Sequence, residues 1–496
     1  MTRRICCLFL VVALLMGTAS GEKWGEGSRE SGLASDWESV LENIPEDSPT
    51  VDPVSGGEGS QTGNPADNWE GSQTGDSESN RKGSSAGDME ITPEISPANN
   101  PESNHEDNSA GDAEITPESA PASDREIRWN EGLTQLQSKY SALGLSVAVF
   151  QNGEIIYTFC GGQTRLVGGE AITPDTLFQT GSISKMVANI ALVKLLWERG
   201  ISLDAEIGDV LGYEVRNPAY PDSPVTLRQL MTHTASLRDD GVYQGAINGN
   251  ARPLREMLTQ LAHGAFTAEY APGEQAAYSN FGGGIIGSLI EALSGENADS
   301  YIRRAVFAPL GITGGYQAGL LDEDLQIAWI FHMPSHRLGL KPREGSSRRV
   351  TCDPDSAYLM TAGKLVISSV DLAKIGMLLC DGGIYQNQRI LPEDAVGEML
   401  TLQNDRGSVH CQSDSGLFVL PTTEESLSGA WMGHDGMAYG MLCGAFFEPD
   451  SRAGMVLLTN GCEQKVHGSK ITREALKLIF SDFPLTEGRV DAFEVE

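Results

Sequence analysis

Composition breaks sharply near residue 125, and this break limits what the chain can fold into more than any motif does. From Glu22 to Arg125, Gly, Ser, Pro, Asn, Asp and Glu dominate, and aromatic residues are few. Such a stretch buries too little apolar surface to offset the entropy lost on ordering, so residues 22–125 are expected to form a disordered linker. The segment also repeats itself. "GSQTG" stands at Gly59 and again at Gly71, and "SAGDMEITPE" at Ser85 returns as "SAGDAEITPE" at Ser109. No repeat carries an apolar face to stack, so the repeats read as a duplicated spacer and not as a solenoid. With 24 acidic against 5 basic residues, the segment holds more than half of the formal net charge of −33. That acidity disfavours nucleic acid as a partner.

Ahead of the linker, Arg3 and Arg4 precede an apolar run from Ile5 to Met16, and Ala19, Ser20 and Gly21 supply small residues. Residues 1–21 are therefore expected to be a secretory signal. Its apolar run is shorter than the roughly 20 residues that span a bilayer. No later segment approaches that length, so the product is expected to be exported, with no membrane span once the signal is removed. Residues 126–496 are balanced in composition and long enough for one large core. Six of the eight cysteines lie there without a CxxC pair or zinc-like spacing, so no metal site is expected. Cys160, Cys380 and Cys443 sit in apolar runs and are expected to be buried thiols.

"GLSVAVFQNGEIIYTFCGG" reads as a hairpin, because two β-rich runs flank Asn152-Gly153, a dipeptide suited to a tight turn. "GAFFEPDSRAGMVLLTNG" reads as a second hairpin turning at "EPDSRAG". Between them lie helices. The first starts near Ser182, is apolar on almost every side, and stops near Gly200; such a helix belongs in a core. "TLRQLMTHTASL" predicts a short helix and a polar turn. "PGEQAAYSNFGGGIIGSLIEALSG" predicts a loop and then a helix ending at Gly295. "SSVDLAKIGMLLCDGG" predicts another helix, capped by Ser369 or Asp371, and "TREALKLIFSDF" a terminal one. Strands at both ends of this region predict a sheet whose edges come from opposite chain ends, with a helical lobe between.

Ser182 and Lys185 stand one turn apart at the mouth of the apolar helix, with β-carbons expected about 5–6 Å apart. A serine hydroxyl needs a base to become a nucleophile, and burial can bring a lysine towards neutrality so that it serves. The helix N-terminus offers N–H groups where an oxyanion would form. Two further stretches stand out: Tyr278-Ser279-Asn280, and His434-Asp435-Gly436. Taken singly, Tyr278 reads better as a boundary tyrosine, Asn280 as a helix cap and His434 as a structural histidine. His233 in "THTAS" is read as structural.

In order, S-x-x-K, Y-x-N and a strand motif ending in glycine resemble the serine β-lactamases and penicillin-binding proteins. The set is most similar to the class C β-lactamase-like group, which includes D-Ala-D-Ala carboxypeptidases, D-aminopeptidases and esterases. "LFQTGSISK", "PGEQAAYSN", "APLGI" and "GHDG" carry the likeness, from about Gly144 to Gly461. The resemblance implies an α/β (mixed α+β) fold: an antiparallel central sheet flanked by helices, plus an all-helical lobe. It implies Ser182 as the acylated nucleophile, Lys185 as its proton acceptor, and Tyr278 in the proton relay with a phenol pKa depressed by the Lys185 charge. Asn280 would hydrogen-bond Lys185 or the substrate carbonyl, His434 and Gly436 would bind substrate, and the N–H groups of Ser182 and Met437 would form the oxyanion hole. His434 replaces a lysine usual at that position, and Ala235-Ser236 stands where the group often has Ser-Gly. The implied activity is a secreted or cell-envelope serine hydrolase acting on an amide or ester bond without a cofactor. Its substrate would be a β-lactam, a small ester or a peptide, with cell-wall peptides among the candidates. The alternative is a non-catalytic module that recognises cell-wall peptides. Ala318–Ser356, with Trp329, Phe331, His332 and His336, is expected on the cleft rim.

Overall fold

The computed structural model describes residues 123–331, 339–340, 349–403, 415–422, 427–438, 440–462 and 470–481. The expected signal over 1–21 and all but the last residues of the expected linker lie outside the described residues, as do His332, His336 and Cys411.

The folded region opens with helix α1 (Asp124–Lys139), two residues ahead of Glu126. Its cap is a reciprocal pair: the Ser123 hydroxyl accepts from the Glu126 N–H, and the Glu126 carboxylate accepts from the Ser123 N–H. Strands β1 (Gly144–Gln151) and β2 (Glu154–Gly162) follow, joined through Asn152 and Gly153, both at positive φ. The turn chemistry read from Asn-Gly thus holds. Helix α2 (Ile183–Arg199) buries every residue from Ile183 to Val193 and ends at left-handed Gly200. After it come a short helix α3 (Leu227–Met231), the glycine-rich helix α4 (Asn280–Ser294) and helix α5 (Ser369–Cys380). The N-cap of α5 is Ser368, whose hydroxyl accepts from the Asp371 N–H, and not Ser369 or Asp371 as the sequence suggested. Strands β3 (Leu420–Pro421), β4 (Met432–Ala438), β5 (Met441–Glu448) and β6 (Ala453–Asn460) complete the main sheet, and helix α6 (Lys470–Phe480) packs behind it.

The main sheet has six strands in the order β3-β4-β5-β6-β1-β2, and every neighbouring pair is antiparallel. Its edges, β3 and β2, come from opposite ends of the folded region, as expected. Alternation along the strands feeds two cores. Leu145, Val147, Val149, Leu442, Phe446 and Leu457 face α1 and α6. Ala148, Phe150, Cys443, Ala445, Phe447, Val456 and Leu458 join the larger core with α2, α4 and α5. Residues 207–310 carry only helices and isolated bridges, the expected helical lobe. Among the described residues Cys160, Cys352, Cys380, Cys443 and Cys462 are free thiols. Cys443 is buried, and so is the Cys380 thiol in the last turn of α5, where burial pushes its pKa well up; Cys160, on edge strand β2, is only half-buried, contrary to expectation.

A small second sheet places the site. Phe178–Gln179 and Gly314–Gly315 both pair with Val366–Ile367. The Thr180 N–H then donates to the Leu365 carbonyl, and the Leu365 N–H to Ser184 Oγ. The start of α2 is thereby stitched to the Ala362–Leu365 segment, and β4 closes on its other side.

Candidate active site

Ser182 precedes the first turn of α2, yet its backbone is already helical (φ −67°, ψ −14°) and its hydroxyl makes no capping bond. A capping serine with extended backbone would spend its oxygen on helix N–H groups; this one faces side chains instead. Lys185, one turn on, is wholly buried. Its Nζ lies 3.0 Å from Ser182 Oγ, 2.9 Å from Asn280 Oδ1 and 2.6 Å from the Ala362 carbonyl oxygen. Burial pulls the Lys185 pKa down to about 7, against the opposing pull of the Asp239 carboxylate. The amine is therefore poised between its charged and neutral forms at neutral pH.

α4 can approach Lys185 this closely because Gly283 has no side chain. A β-carbon there would stand 2.6 Å from Lys185 Cδ and Cε. The cap of α4 is Ser279, whose hydroxyl accepts from the Gly282 N–H. Asn280 is thus released from the capping role it could have had, and its amide turns to Lys185.

Tyr278 is 48% exposed as a residue, but its hydroxyl is turned inward and hydrogen-bonds Ser182. Its ring centroid lies 5.0 Å from Lys185 Nζ and 4.3 Å from the His233 ring. Burial of the hydroxyl, reinforced by the Asp239 charge, holds the phenol well above its ordinary pKa, although the Ser182 hydrogen bond opposes this. The depressed phenol pKa expected from the sequence is overturned: desolvation outweighs a neighbouring amine that is itself close to neutral. The Tyr278 phenol is therefore held in its neutral form.

His434, on β4, is 2% exposed, with its ring 6.4 Å from that of Tyr278. Nδ1 lies 2.6 Å from the Asp435 carbonyl oxygen, so Nδ1 carries the proton and Nε2 presents a lone pair. Burial and the Lys185 charge lower its pKa to about 4, so the ring is neutral at pH 7. Gly436 sits where a β-carbon would come within 1.9 Å of the Thr180 carbonyl oxygen, and the Met437 N–H adjoins Gly181. The absence of a side chain at Gly436 lets β4 lie against the approach to Ser182.

Two residues outside the three motifs hold this arrangement. His233, read as structural, accepts the Ser279 N–H at Nδ1 (3.1 Å) and packs its ring on Tyr278; burial keeps it neutral. Asp239 accepts four hydrogen bonds from the Ser279–Phe281 turn. In "SLRDD" no motif marks it. Ser236, where the related group often has glycine, adopts φ 53°, and the turn survives with its hydroxyl bonded by Asn217 Nδ2. Of the expected rim, Trp329 is half-buried beneath the Arg165 guanidinium, and Phe331 is buried in the fold, not on the rim, because Gly440 and Gly461 pack on it.

An antiparallel sheet, a helical lobe and a serine–lysine pair at the head of the helix between them define the fold of the penicillin-recognising serine enzymes. The chain belongs to the beta-lactamase family, whose profile matches residues 129–478. It is 24% identical over 353 residues to "Penicillin-binding protein 4" of Amycolatopsis lactamdurans, covering 67% of this chain and 84% of that protein. Other curated relatives are matched over shorter stretches, and the chain spans less than half of their length. Among solved structures it resembles the octameric penicillin-binding protein homologue from Pyrococcus abyssi (TM-score 0.57, 20% identity, 73% of this chain and 79% of that one). It also resembles the D-amino acid amidase of Ochrobactrum anthropi SV3 (TM-score 0.55, 21% identity, 72% and 99%). These structural likenesses establish the fold.

Proposed function

We propose that this chain is an exported serine hydrolase that cleaves an amide or ester bond through an acyl-enzyme on Ser182. The coordination of Lys185 carries the reading. A neutral amine has two N–H groups and one lone pair. Asn280 Oδ1 and the Ala362 carbonyl can only accept, so they take the two N–H groups, and the lone pair is left for Ser182.

As Ser182 Oγ bonds to the substrate carbonyl carbon, its proton passes to Lys185 Nζ, and the carbonyl electron pair moves onto oxygen. The N–H groups of Ser182 and Met437 are assigned to that oxyanion. When the tetrahedral species collapses, the Tyr278 phenol protonates the leaving amine or alkoxide and recovers a proton from the Lys185 ammonium. Water then attacks the ester by the same route in reverse, and Ser182 regains its hydrogen. Asn280, His434 and Gly436 are assigned to substrate binding along the cleft.

Neutral His434 supplies no cation for a substrate carboxylate. This supports peptide-type amides and small esters, including D-amino-acid derivatives, ahead of β-lactams. The signal-like leader and the penicillin-binding relatives support an exported or cell-envelope location. The test is covalent labelling. A fluorophosphonate-rhodamine probe and a fluorescent penicillin are incubated with wild type and Ser182→Ala, and the adduct is mapped by mass spectrometry. Labelling confined to Ser182 is expected. An unlabelled wild type, or equal labelling of Ser182→Ala, would refute the acyl-enzyme and leave a recognition module. Turnover of a p-nitrophenyl ester, a D-Ala-D-Ala peptide and nitrocefin then ranks the substrate classes.

A further inference from the structure

We propose that Asp239 is a positioning residue that aims the Lys185 lone pair at Ser182 by fixing which way the Asn280 amide faces. The inference rests on the acyl-enzyme reading above. Asp239 Oδ1 accepts from Ser279 Oγ (2.9 Å) and the Phe281 N–H (3.0 Å). Oδ2 accepts from the Asn280 N–H (2.8 Å) and Asn280 Nδ2 (2.9 Å). All four partners are donors, and an ionised carboxylate has about four acceptor positions, so only that group satisfies the set. With Nδ2 held by Asp239, the amide of Asn280 has one orientation: Oδ1 must face Lys185.

That orientation decides the chemistry one bond further on. Oδ1 claims one N–H of Lys185, the Ala362 carbonyl claims a second, and the third tetrahedral position, proton or lone pair, falls on Ser182. If the amide turned over, Nδ2 would face Lys185 as a donor. The amine could meet it only with its lone pair, which would then be lost to Ser182. Asp239 touches no reacting atom; it acts through Asn280. Its charge also favours the ammonium form of Lys185.

Asp239→Asn is nearly isosteric but places an NH2 among four donors. Asp239→Ser removes the charge in a smaller volume. Asp240→Asn, beside it and paired outward with Arg238, serves as the control. The observable is the second-order rate of Ser182 labelling by fluorophosphonate-rhodamine from pH 5 to 9, on variants whose melting shows them folded at the assay temperature. Wild type and Asp240→Asn should rise with pH and level off together. The Asp239 variants should show a plateau lower by about tenfold or more, the scale of a misaligned catalytic group, and a midpoint moved to lower pH. In an Asn280→Ala background, Asp239→Asn should lower the plateau almost no further, since the two act on it through one contact. A folded Asp239 variant with wild-type plateau and midpoint overturns the proposal, as does a full additive loss in the Asn280→Ala background. If wild type itself is not labelled, the acyl-enzyme reading falls and this inference with it. Labelled wild type with unaltered Asp239 variants rejects the positioning role alone.

Discussion

Gly283→Ala asks whether α4 really seats Lys185. The added β-carbon would lie 2.6 Å from Lys185 Cδ and Cε and 2.7 Å from Cγ. Ordinary carbon contacts are about 3.5–4.0 Å, so the lysine stem must retreat by about 1 Å. It has little freedom to do so, because Nζ is held by Ser182, Asn280 and Ala362. A displacement of about 1 Å at a catalytic group costs on the order of 100-fold in rate. Stability should change far less. Overpacking costs about 1–3 kcal/mol, and replacing a helical glycine by alanine returns about 1 kcal/mol. Gly282→Ala is the matched control: its β-carbon would meet its nearest neighbours at 3.5–3.7 Å, an ordinary contact. The assay is the rate of Ser182 labelling by fluorophosphonate-rhodamine, with urea unfolding run in parallel. Gly283→Ala should lose about two decades of rate while staying folded, and Gly282→Ala should keep its rate and gain stability. A Gly283→Ala protein that labels at the wild-type rate would show that α4 does not constrain Lys185.

The labelling rate of wild type should climb through a midpoint near pH 7, where Lys185 loses its proton, with no inflection from His434, whose pKa lies near 4; a single limb centred above pH 9 would contradict this. Lys185 also links stability to pH. Between about 7 and its ordinary value near 10.5 the unfolded chain holds the extra proton, so the contribution of burying Lys185 grows more favourable as pH rises through that window. The melting temperature of Lys185→Met minus that of wild type should therefore shrink from pH 7 to pH 10. Arg349 pairs with Glu291, whose side chain is fully buried and also accepts the Ala298 N–H. Arg349→Met should cost about 3–5 kcal/mol in urea unfolding and leave the labelling rate unchanged, since the pair ties α4 to residues 349–353 away from Ser182. A chain starting at Ala122 should label like the full chain. One starting at Arg125 loses the Ser123 cap and should be less stable by about 1 kcal/mol. Loss of labelling in the Ala122 form would mean that the polar segment takes part in the fold.

The two long hairpins, the core helix α2, its left-handed stop at Gly200 and the helical lobe were all legible in the sequence. Each depends on local signals: period-two apolar runs around Asn-Gly, apolar residues on every helical face, and glycine where φ must be positive. The pairing of Ser182 with Lys185 is legible for the same reason, because three residues apart on a helix is a local distance. Tertiary structure alone decided what surrounds that pair. Asn280 and Ala362 converge on Lys185, and Asp239 on Asn280, from distant parts of the chain, and no spacing encodes their meeting. It also decided protonation. The same phenol next to an amine could titrate in either direction, and desolvation settled it upward once the Tyr278 hydroxyl was turned inward. The residue types able to do the chemistry are a property of the chain. Their pKa values and the direction of one lone pair belong to the packed structure, because burial and hydrogen-bond partners exist only once distant segments meet.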